Sequence, residues 1–115
     1  MVARTKHLCD RYADALKDAD IPTLTLDADS SDNEQTDGVR IATLHRVKGL
    51  EFQYMFLAGI NQGVVPQPYT RQSADPVELR DNEFNERALL HVAATRAVKG
   101  LYVSCSGAPS VFLEP

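Results

Sequence analysis

The sequence lacks the features that mark several large classes of protein. It has no apolar run of the roughly 20 residues that a membrane-spanning helix needs, and no signal-peptide pattern at its start. It has few cysteines, Cys9 and Cys105, and its three histidines are scattered, so neither type has a metal-binding or redox spacing. We therefore expect a cytoplasmic protein with no membrane segment and no metal ligand, in which both thiols are reduced and buried.

An excess of positive charge is also lacking. Lysine and arginine together number 12 against 16 aspartates and glutamates, which gives a formal charge of −4. This balance argues against a module that binds nucleic acid through an overall basic surface, so any such contact must come from a few placed residues. The 115 residues, of which 43% are hydrophobic, suffice for one domain with its own core.

No self-sufficient active site is present in the sequence. There is no glycine followed by Lys-Ser or Lys-Thr, as the P-loop that cradles phosphates requires. The Gly-x-Ser-x-Gly nucleophile elbow and the dinucleotide-binding fingerprint are lacking too. Any nucleotide chemistry must therefore draw on groups from outside these residues.

The apolar pattern predicts an α/β fold. Helical spacing predicts an amphipathic helix over 4–19 and a buried helix over 81–98, with Asp81 or Asn82 as its N-cap and Gly100 just past its end. Strands are predicted at 23–26, 39–44, 52–60 and 101–106, of which 52–60 is apolar enough to be covered on both faces. A helical turn is predicted at 109–113.

Two stretches are predicted to be loops, and the chain start is predicted to be the tail of a strand. The acidic segment 27–37 has no large apolar residue, and prolines interrupt 61–80. Residues 1–3 read as the end of a truncated first strand, so the start is expected to be a fragment boundary. The whole pattern favours an open, mainly parallel sheet with flanking helices.

The first candidate site is the loop that follows the strand at 39–44. Ligands of open α/β sheets gather beyond the carboxyl ends of strands, and this loop offers polar donors, positive charge and a glycine that permits close approach. The relevant residues are Thr43, His45, Arg46, Lys48, Gly49 and Glu51. The loop either holds phosphates of a nucleotide or nucleic acid, or is an ordinary solvated basic turn.

The second candidate is Arg96, on the same helical stripe as Leu89 and Val92. A guanidinium that emerges from an apolar stripe needs an anion or a ligand, because unpaired buried charge is costly. Two structural interpretations stay open beside a functional one. Arg96 pairs with Glu83 or Glu86, or it complements the dipole at the helix end.

At these two stretches the sequence resembles the UvrD/Rep-like superfamily 1 helicases. VRIATLHRVKGLEFQYMFLAGINQGVVP resembles their fifth motif with the strand after it, and NERALLHVAATRAVKGLYVSCS resembles their sixth. VARTKHLCDRYADALKDADIP is more weakly similar to the unit that opens their second motor lobe. The resemblance implies that residues 1–115 are a RecA-like lobe of the P-loop NTPase type.

The resemblance also implies roles for particular residues. ATP with Mg²⁺ lies in the family between two lobes, and the partner N-terminal RecA-like lobe supplies the P-loop and the metal ligand. Arg96 would reach the γ-phosphate as the catalytic arginine, and Glu51 and Gly49 would lie beside the nucleotide. Thr43 and His45 would face single-stranded DNA, with Arg46 and Lys48 as phosphate contacts. The chain alone is expected to be inactive.

Three departures from the family pattern affect the details. The segment 27–37 stands where many members insert an accessory domain, which leaves duplex unwinding and its regulation in doubt. Ala88 replaces a common second arginine, and His91 a common tyrosine. The alternatives are a stand-alone, non-catalytic module that binds nucleic acid or protein, and an unrelated α/β interaction domain that would have acquired both motifs by chance. The truncated first strand argues against a free domain because it would leave an unpaired sheet edge.

Overall fold

A five-stranded parallel sheet with a helix on each face organises the chain. The computed structural model describes residues 1–26 and 36–113. In chain order the elements are β1 (Val2–Ala3), α1 (Lys6–Asp18), β2 (Thr23–Thr25), β3 (Val39–Thr43), β4 (Phe52–Leu57), α2 (Pro76–Ala94) and β5 (Ala97–Val103). The strand order is β2-β3-β1-β4-β5, and every neighbouring pair is parallel. The predicted α/β class with an open parallel sheet is confirmed.

The first helix forms where the sequence predicts it and covers one face of the sheet. The Thr5 hydroxyl oxygen accepts a hydrogen bond from the Leu8 N–H at 3.2 Å, which caps the first turn of α1. Leu8, Tyr12 and Leu16 recur at helical spacing and pack with the buried Cys9 against β1 and β3. This side of the sheet is therefore a small core of its own.

The second helix begins earlier than predicted and is less buried. It starts at Pro76 rather than at Asp81 or Asn82, and its N-cap is Asp75, whose side chain accepts from the Val77 N–H at 2.9 Å. Proline suits the first turn because its missing N–H would have no helical partner there. The helix ends at Ala94, so Gly100 lies inside β5 rather than past a helix.

Burial on α2 is confined to one stripe. Glu86, Leu90 and Ala93 are buried, whereas the Phe84 side chain is 69% exposed. The prediction of a helix apolar nearly all round and well buried is therefore wrong. Its inner stripe lies on the main core, which gathers Val2, Ala42, Leu44, Val47, Met55, Leu57, Ile60 and Val65.

One prediction about the strands is also wrong. The β4 strand is covered on one face, since Met55 and Leu57 are buried while Tyr54 and Phe56 are 60% and 48% exposed. The short β1 strand lies in the centre of the sheet between β3 and β4, so the edges are β2 and β5. The short first strand is therefore not an outer edge of the sheet, although it pairs with only part of β3 and β4 among the described residues.

The remaining expectations concern the thiols, the acidic loop, a membrane segment and the short helices. The two thiols are free, but Cys105 is exposed and only Cys9 is buried. The predicted loop 27–37 lies largely outside the described residues. Within 1–26 and 36–113 no helix is long and apolar enough to cross a membrane. Short 3-10 helices occupy Pro68–Arg71, in the predicted connection, and Val111–Leu113.

Candidate functional site

The loop after β3 is anchored in the core, which orients its polar side chains. Leu44 and Val47 are 1% and 0% exposed and belong to the main core. The Thr43 hydroxyl oxygen and carbonyl accept from the Arg46 N–H at 3.3 and 3.1 Å. His45 therefore lies exposed at the carboxyl end of β3, in a turn that its neighbours hold in place.

Lys48 and Gly49 follow on the same loop and are both exposed. Gly49 has φ 83°, in the left-handed region that other residues rarely adopt, and a Cβ there would meet nothing within 4 Å. Glycine is therefore required at this position by its backbone conformation and not by lack of space. The loop keeps an open surface beside its backbone.

A buried ion pair joins the end of β1 to α2 beneath this loop. Arg4 Nε donates to Glu86 Oε2 at 3.0 Å, and the two side chains are 8% and 5% exposed. Arg4 Nη2 also donates to the Tyr69 hydroxyl at 3.2 Å, and that hydroxyl donates to Glu86 Oε1 at 3.3 Å. The hydrogen bond from Arg4 to Glu86 raises the pKa of Arg4, so the guanidinium stays charged.

A cleft of about 400 Å³ opens between this loop and α2. Its polar lining comes from His45, Lys48, Tyr69, Asn82, Asn85 and Glu86, and its apolar wall is formed by Leu44, Ala88, Leu89 and Val92. The cleft therefore combines hydrogen-bonding groups and one lysine with an apolar surface. Such a mixture suits a ligand that has both polar edges and flat apolar faces.

The imidazole of His45 is held neutral in this cleft. Burial lowers the pKa of His45, the positive charge of Arg4 lowers it further, and Glu86 opposes the effect. A neutral imidazole both donates and accepts hydrogen bonds but does not attract phosphate as a cation. Lys48 is therefore the cation that the cleft itself presents.

Arg96 lies in the turn between α2 and β5. Its Nη2 donates to the Thr95 hydroxyl at 3.3 Å, while its Nε is buried and has no hydrogen-bond partner among the described residues. The expected ion-pair partners are taken, because Glu86 pairs with Arg4, and Glu83 pairs with Arg87 at 3.1 Å. The predicted structural ion pair of Arg96 is therefore wrong.

The candidate residues fall into two groups, one at the amino ends and one at the carboxyl ends of the parallel strands. The Arg96 carbonyl accepts from the Phe52 N–H at 2.9 Å, which brings Arg96 and the exposed Glu51 together at the amino ends of β4 and β5. Thr43 and His45 lie at the carboxyl end of β3. The groups are separated by about the length of β4, roughly 17 Å at ~3.3 Å per residue.

The sequence reasoning missed four polar residues of the cleft, namely Tyr69, Asn82, Asn85 and Glu86. Three of them lie on α2, inside the helix already predicted over 81–98, but nothing in the sequence placed that part of the helix beside the loop after β3. Asn82, Asn85 and Leu89 fall on one helical face, at spacings of three and four. Tyr69 had no such signal, because it lies in a connection without periodicity.

The comparisons with known proteins identify the family of the chain. The family model of the UvrD-like helicase C-terminal domain matches residues 3–107. The chain is 38% identical over 81 residues to the putative ATP-dependent DNA helicase YjcD of Bacillus subtilis (strain 168), covering 66% of this chain and 10% of that protein. It is 33% identical over 93 residues to the ATP-dependent DNA helicase PcrA of Staphylococcus aureus (strain Mu50), covering 81% and 12%.

Two further relatives extend the comparison. The ATP-dependent DNA helicase Rep of Buchnera aphidicola subsp. Baizongia pistaciae is 43% identical over 68 residues, or 59% of this chain and 9% of that protein. The C-terminal domain of a possible DNA helicase from Lactobacillus plantarum WCFS1 has a similar fold, with a TM-score of 0.70 and 23% identity over 98% of this chain and 58% of that one. The chain spans about a tenth of the length of these curated relatives.

Proposed function

Because the chain belongs to the family of UvrD-like helicase C-terminal domains, we propose that it is the second RecA-like motor lobe of an ATP-dependent DNA helicase or translocase. The observation that carries the proposal is the buried Nε of Arg96, which has no hydrogen-bond partner among the described residues. A buried donor without an acceptor costs free energy that an acceptor from outside would offset. A phosphate from outside the chain supplies that acceptor.

Arg96 is the proposed catalytic residue. The β5 ladder fixes its backbone, and Thr95 holds one of its terminal nitrogens. A preorganised cation stabilises the charge that develops on a transferred phosphoryl group, and such arginines contribute about 10³–10⁵ to turnover. ATP with Mg²⁺ supplies the phosphoryl group and its counter-ion, and the N-terminal RecA-like lobe, with its P-loop, contributes the remaining contacts.

Glu51 and Gly49 are the proposed neighbours of the nucleotide. Glu51 is exposed at the start of β4, next to the residue that hydrogen-bonds to the Arg96 carbonyl. A carboxylate there accepts hydrogen bonds from hydroxyl groups such as those of a ribose. Gly49, with its open surface and positive φ, keeps side chains away from the approaching ligand.

Thr43, His45, Arg46 and Lys48 form the proposed part of the single-stranded DNA track. Lys48 offers a positive charge to a phosphate, and the neutral His45 offers a hydrogen bond at the cleft. The apolar wall of the cleft suits the face of an unstacked base. This placement accounts for nucleic-acid contact by a chain whose formal charge is −4.

Two parts of the proposal concern the organisation of the motor. Residues 1–115 act as one lobe, with the acidic segment 27–37 in the place of the accessory domain that many members carry. Lacking a P-loop, the chain alone hydrolyses no ATP. The lobe is proposed to move against its partner during translocation, while strand separation is a separate activity to be measured.

The test is an ATPase assay of the 115-residue chain, with and without single-stranded DNA, beside the two-lobed polypeptide that contains it. We expect no turnover by the chain and DNA-stimulated turnover by the two-lobed protein. Turnover by the chain alone would contradict the proposal. DNA or protein binding by the chain, together with a two-lobed protein that has no ATPase, would instead support the non-catalytic binding module.

A further inference from the structure

The side chain of Tyr69 is exposed in the cleft between α2 and the loop after β3, yet it is held in one orientation. Tyr69 is 56% exposed and lies in the short 3-10 helix Pro68–Arg71. Its hydroxyl group accepts from Arg4 Nη2 at 3.2 Å and donates to Glu86 Oε1 at 3.3 Å. The buried ion pair therefore anchors the hydroxyl end of the ring, while much of the side chain stays open to solvent.

These two hydrogen bonds decide what Tyr69 can offer to a ligand. The only proton of the hydroxyl group is used on Glu86, and one of its lone pairs accepts from Arg4. The flat apolar face of the ring is what remains for a ligand. Such a face suits stacking against another planar ring, because a side chain that is already fixed loses little freedom on binding.

Two carboxamide side chains lie beside this ring in the same cleft. Asn82 and Asn85 are three residues apart, on the side of α2 that lines the cleft together with Tyr69. Neither carboxamide has a hydrogen-bond partner within the parts of the chain that the structure describes. A carboxamide both donates and accepts hydrogen bonds, and the edges of nucleobases carry donors and acceptors too.

The rest of the cleft also matches the parts of a nucleotide. Leu89 and Val92 contribute an apolar wall, and Lys48 is an exposed cation among the lining residues. A nucleotide has a planar base with apolar faces, a polar base edge and an anionic phosphate, so each kind of lining group corresponds to one of its parts. The volume of about 400 Å³ lies within the range of roughly 300–1,000 Å³ that is typical of pockets for small ligands.

We propose that the cleft binds one unstacked base of single-stranded DNA, which stacks on the ring of Tyr69 with its edge toward Asn82 and Asn85. Lys48 contacts a phosphate of the same strand. The choice of DNA as the source of the base rests on the proposed function. Stacking tolerates any sequence because every base has an aromatic face, so this site suits a motor that moves along a strand.

The first experiment identifies the residue that contacts the base. The two-lobed protein is bound, without ATP, to a single-stranded oligonucleotide that contains iodouracil, and the cross-links formed on irradiation are mapped by mass spectrometry. We expect a cross-link to Tyr69. Tyr54 is the internal control, because it is 60% exposed but lies on the face of β4 that is turned away from α2. Absence of a cross-link at Tyr69, or equal cross-linking at Tyr54, would overturn the base site.

The second experiment measures what the ring contributes to affinity. Fluorescence anisotropy, again without ATP, compares an oligonucleotide of thymidine with an abasic oligonucleotide of the same length. Tyr69→Leu should weaken binding of the thymidine strand about tenfold and leave binding of the abasic strand unchanged, because only the first has bases to stack. Tyr69→Phe keeps the ring and loses the hydroxyl group, so it should bind both strands like the wild type, as should Tyr54→Leu.

An equal loss on both strands would show that Tyr69 acts only through the ion pair, and this result would overturn the base site, as would no loss on either strand. Should Tyr69→Leu fail to fold, the cross-link in the wild type decides. The place of the base edge is tested by the double variant Asn82→Ala and Asn85→Ala. It should bind the thymidine strand several-fold more weakly and the abasic strand unchanged. Unchanged binding of both strands would overturn the role of the carboxamides.

Failure of the base site is distinguishable from failure of the motor assignment. A two-lobed protein with DNA-stimulated ATPase but no cross-link at Tyr69 would overturn the base site and leave the motor standing. A cross-link at Tyr69 in a protein without ATPase would support the base site and remove the motor. If Tyr69→Leu lowered turnover without DNA and left DNA affinity unchanged, the cleft would hold a side chain of the partner lobe, and the base site would be overturned.

Discussion

At the residue scale, the fold holds two side chains, Arg96 and His45, in electrostatically unfavourable states. Arg96 has a buried nitrogen without a partner among the described residues. His45 lies exposed at a cleft, yet burial of its ring and the charge of Arg4 depress its pKa. Both states cost free energy in the isolated domain. The ligands proposed at the two ends of the strands would interact with these side chains.

For Arg96 we predict that Arg96→Ala, in the two-lobed protein with saturating single-stranded DNA, lowers kcat for ATP by about 10³-fold or more. The reason is the loss of a preorganised cation from the transition state. Arg87→Ala is the matched control, because Arg87 is an exposed arginine of α2 paired with Glu83. Circular dichroism and DNA affinity should stay near wild type. Undiminished turnover by Arg96→Ala would remove the catalytic assignment.

For His45 we predict that stability depends on pH through its depressed pKa. The unfolded chain binds a proton near the ordinary value of 6.5, whereas the folded chain binds it at lower pH. The free energy of unfolding contributed by this group therefore falls as pH drops below 6.5 toward the folded pKa, and is constant above 6.5. Urea unfolding of the wild type and of His45→Gln from pH 5 to 8 measures this difference. If the free energy of unfolding of the two proteins changed with pH in parallel, the pKa of His45 would not be depressed.

At the scale of secondary-structure elements, the Arg4–Glu86 pair is what fixes α2 to the sheet beneath the cleft. It joins the end of β1 to the middle of α2, and Tyr69 completes its hydrogen bonds. The pair thus holds the side of α2 that lines the cleft against the loop that follows β3. The sequence offered Glu86 as a partner of Arg96 and gave no sign of its pairing with Arg4, which lies 82 residues away.

We predict that Glu86→Ala lowers the free energy of unfolding by about 3–5 kcal/mol, because it leaves the buried Arg4 guanidinium uncompensated. The matched control is Glu83→Ala, one helical turn earlier, whose exposed pair with Arg87 contributes about 0–1 kcal/mol. Urea denaturation of both variants provides the comparison. A similar, small loss in both would contradict the structural role of the buried pair.

The elements also show which local signals are sufficient for prediction. Helix α1 follows from periodicity, because one of its faces is apolar and the other polar. Strands β2 and β3 follow from their β-branched residues. The start of α2 was predicted five residues late, at 81 instead of Pro76. Its first turns carry little apolar periodicity, and the Asp75-Pro76 signal was interpreted as part of a loop. The apolar β4 sequence predicted two covered faces, but its exposed aromatics are uncovered within the described residues.

At the scale of the whole molecule, the residues of the first candidate loop were predicted as one site but lie at opposite ends of the sheet's strands. Thr43 and Glu51 are eight residues apart, yet the loop between them returns across the α2 face from the carboxyl end of β3 to the amino end of β4. Strand direction is a property of the assembled sheet, so spacing along the chain did not reveal this separation.

The connection between the two edges passes through the core. Val47 is fully buried in the middle of this loop, against the cluster that also holds Leu90 and Ala93 of α2. Helix α2 in turn leads directly into Arg96. We therefore expect that a ligand which shifts the loop at His45 would displace side chains packed next to the arginine, because close-packed cores transmit strain.

This arrangement leads to the prediction that Val47→Ala uncouples ATP turnover from DNA. The cavity costs about 1–3 kcal/mol of stability and loosens the support between the loop and α2. In the two-lobed protein, stimulation of the ATPase by single-stranded DNA should fall several-fold, while turnover without DNA changes little.

Val65→Ala is the control, since Val65 is equally buried in the same core but lies after β4, outside the loop. If both variants lose stimulation equally, general destabilisation explains the effect. If Val47→Ala alone loses the stimulation, the packing of Val47 links the proposed DNA contacts to the proposed nucleotide contacts.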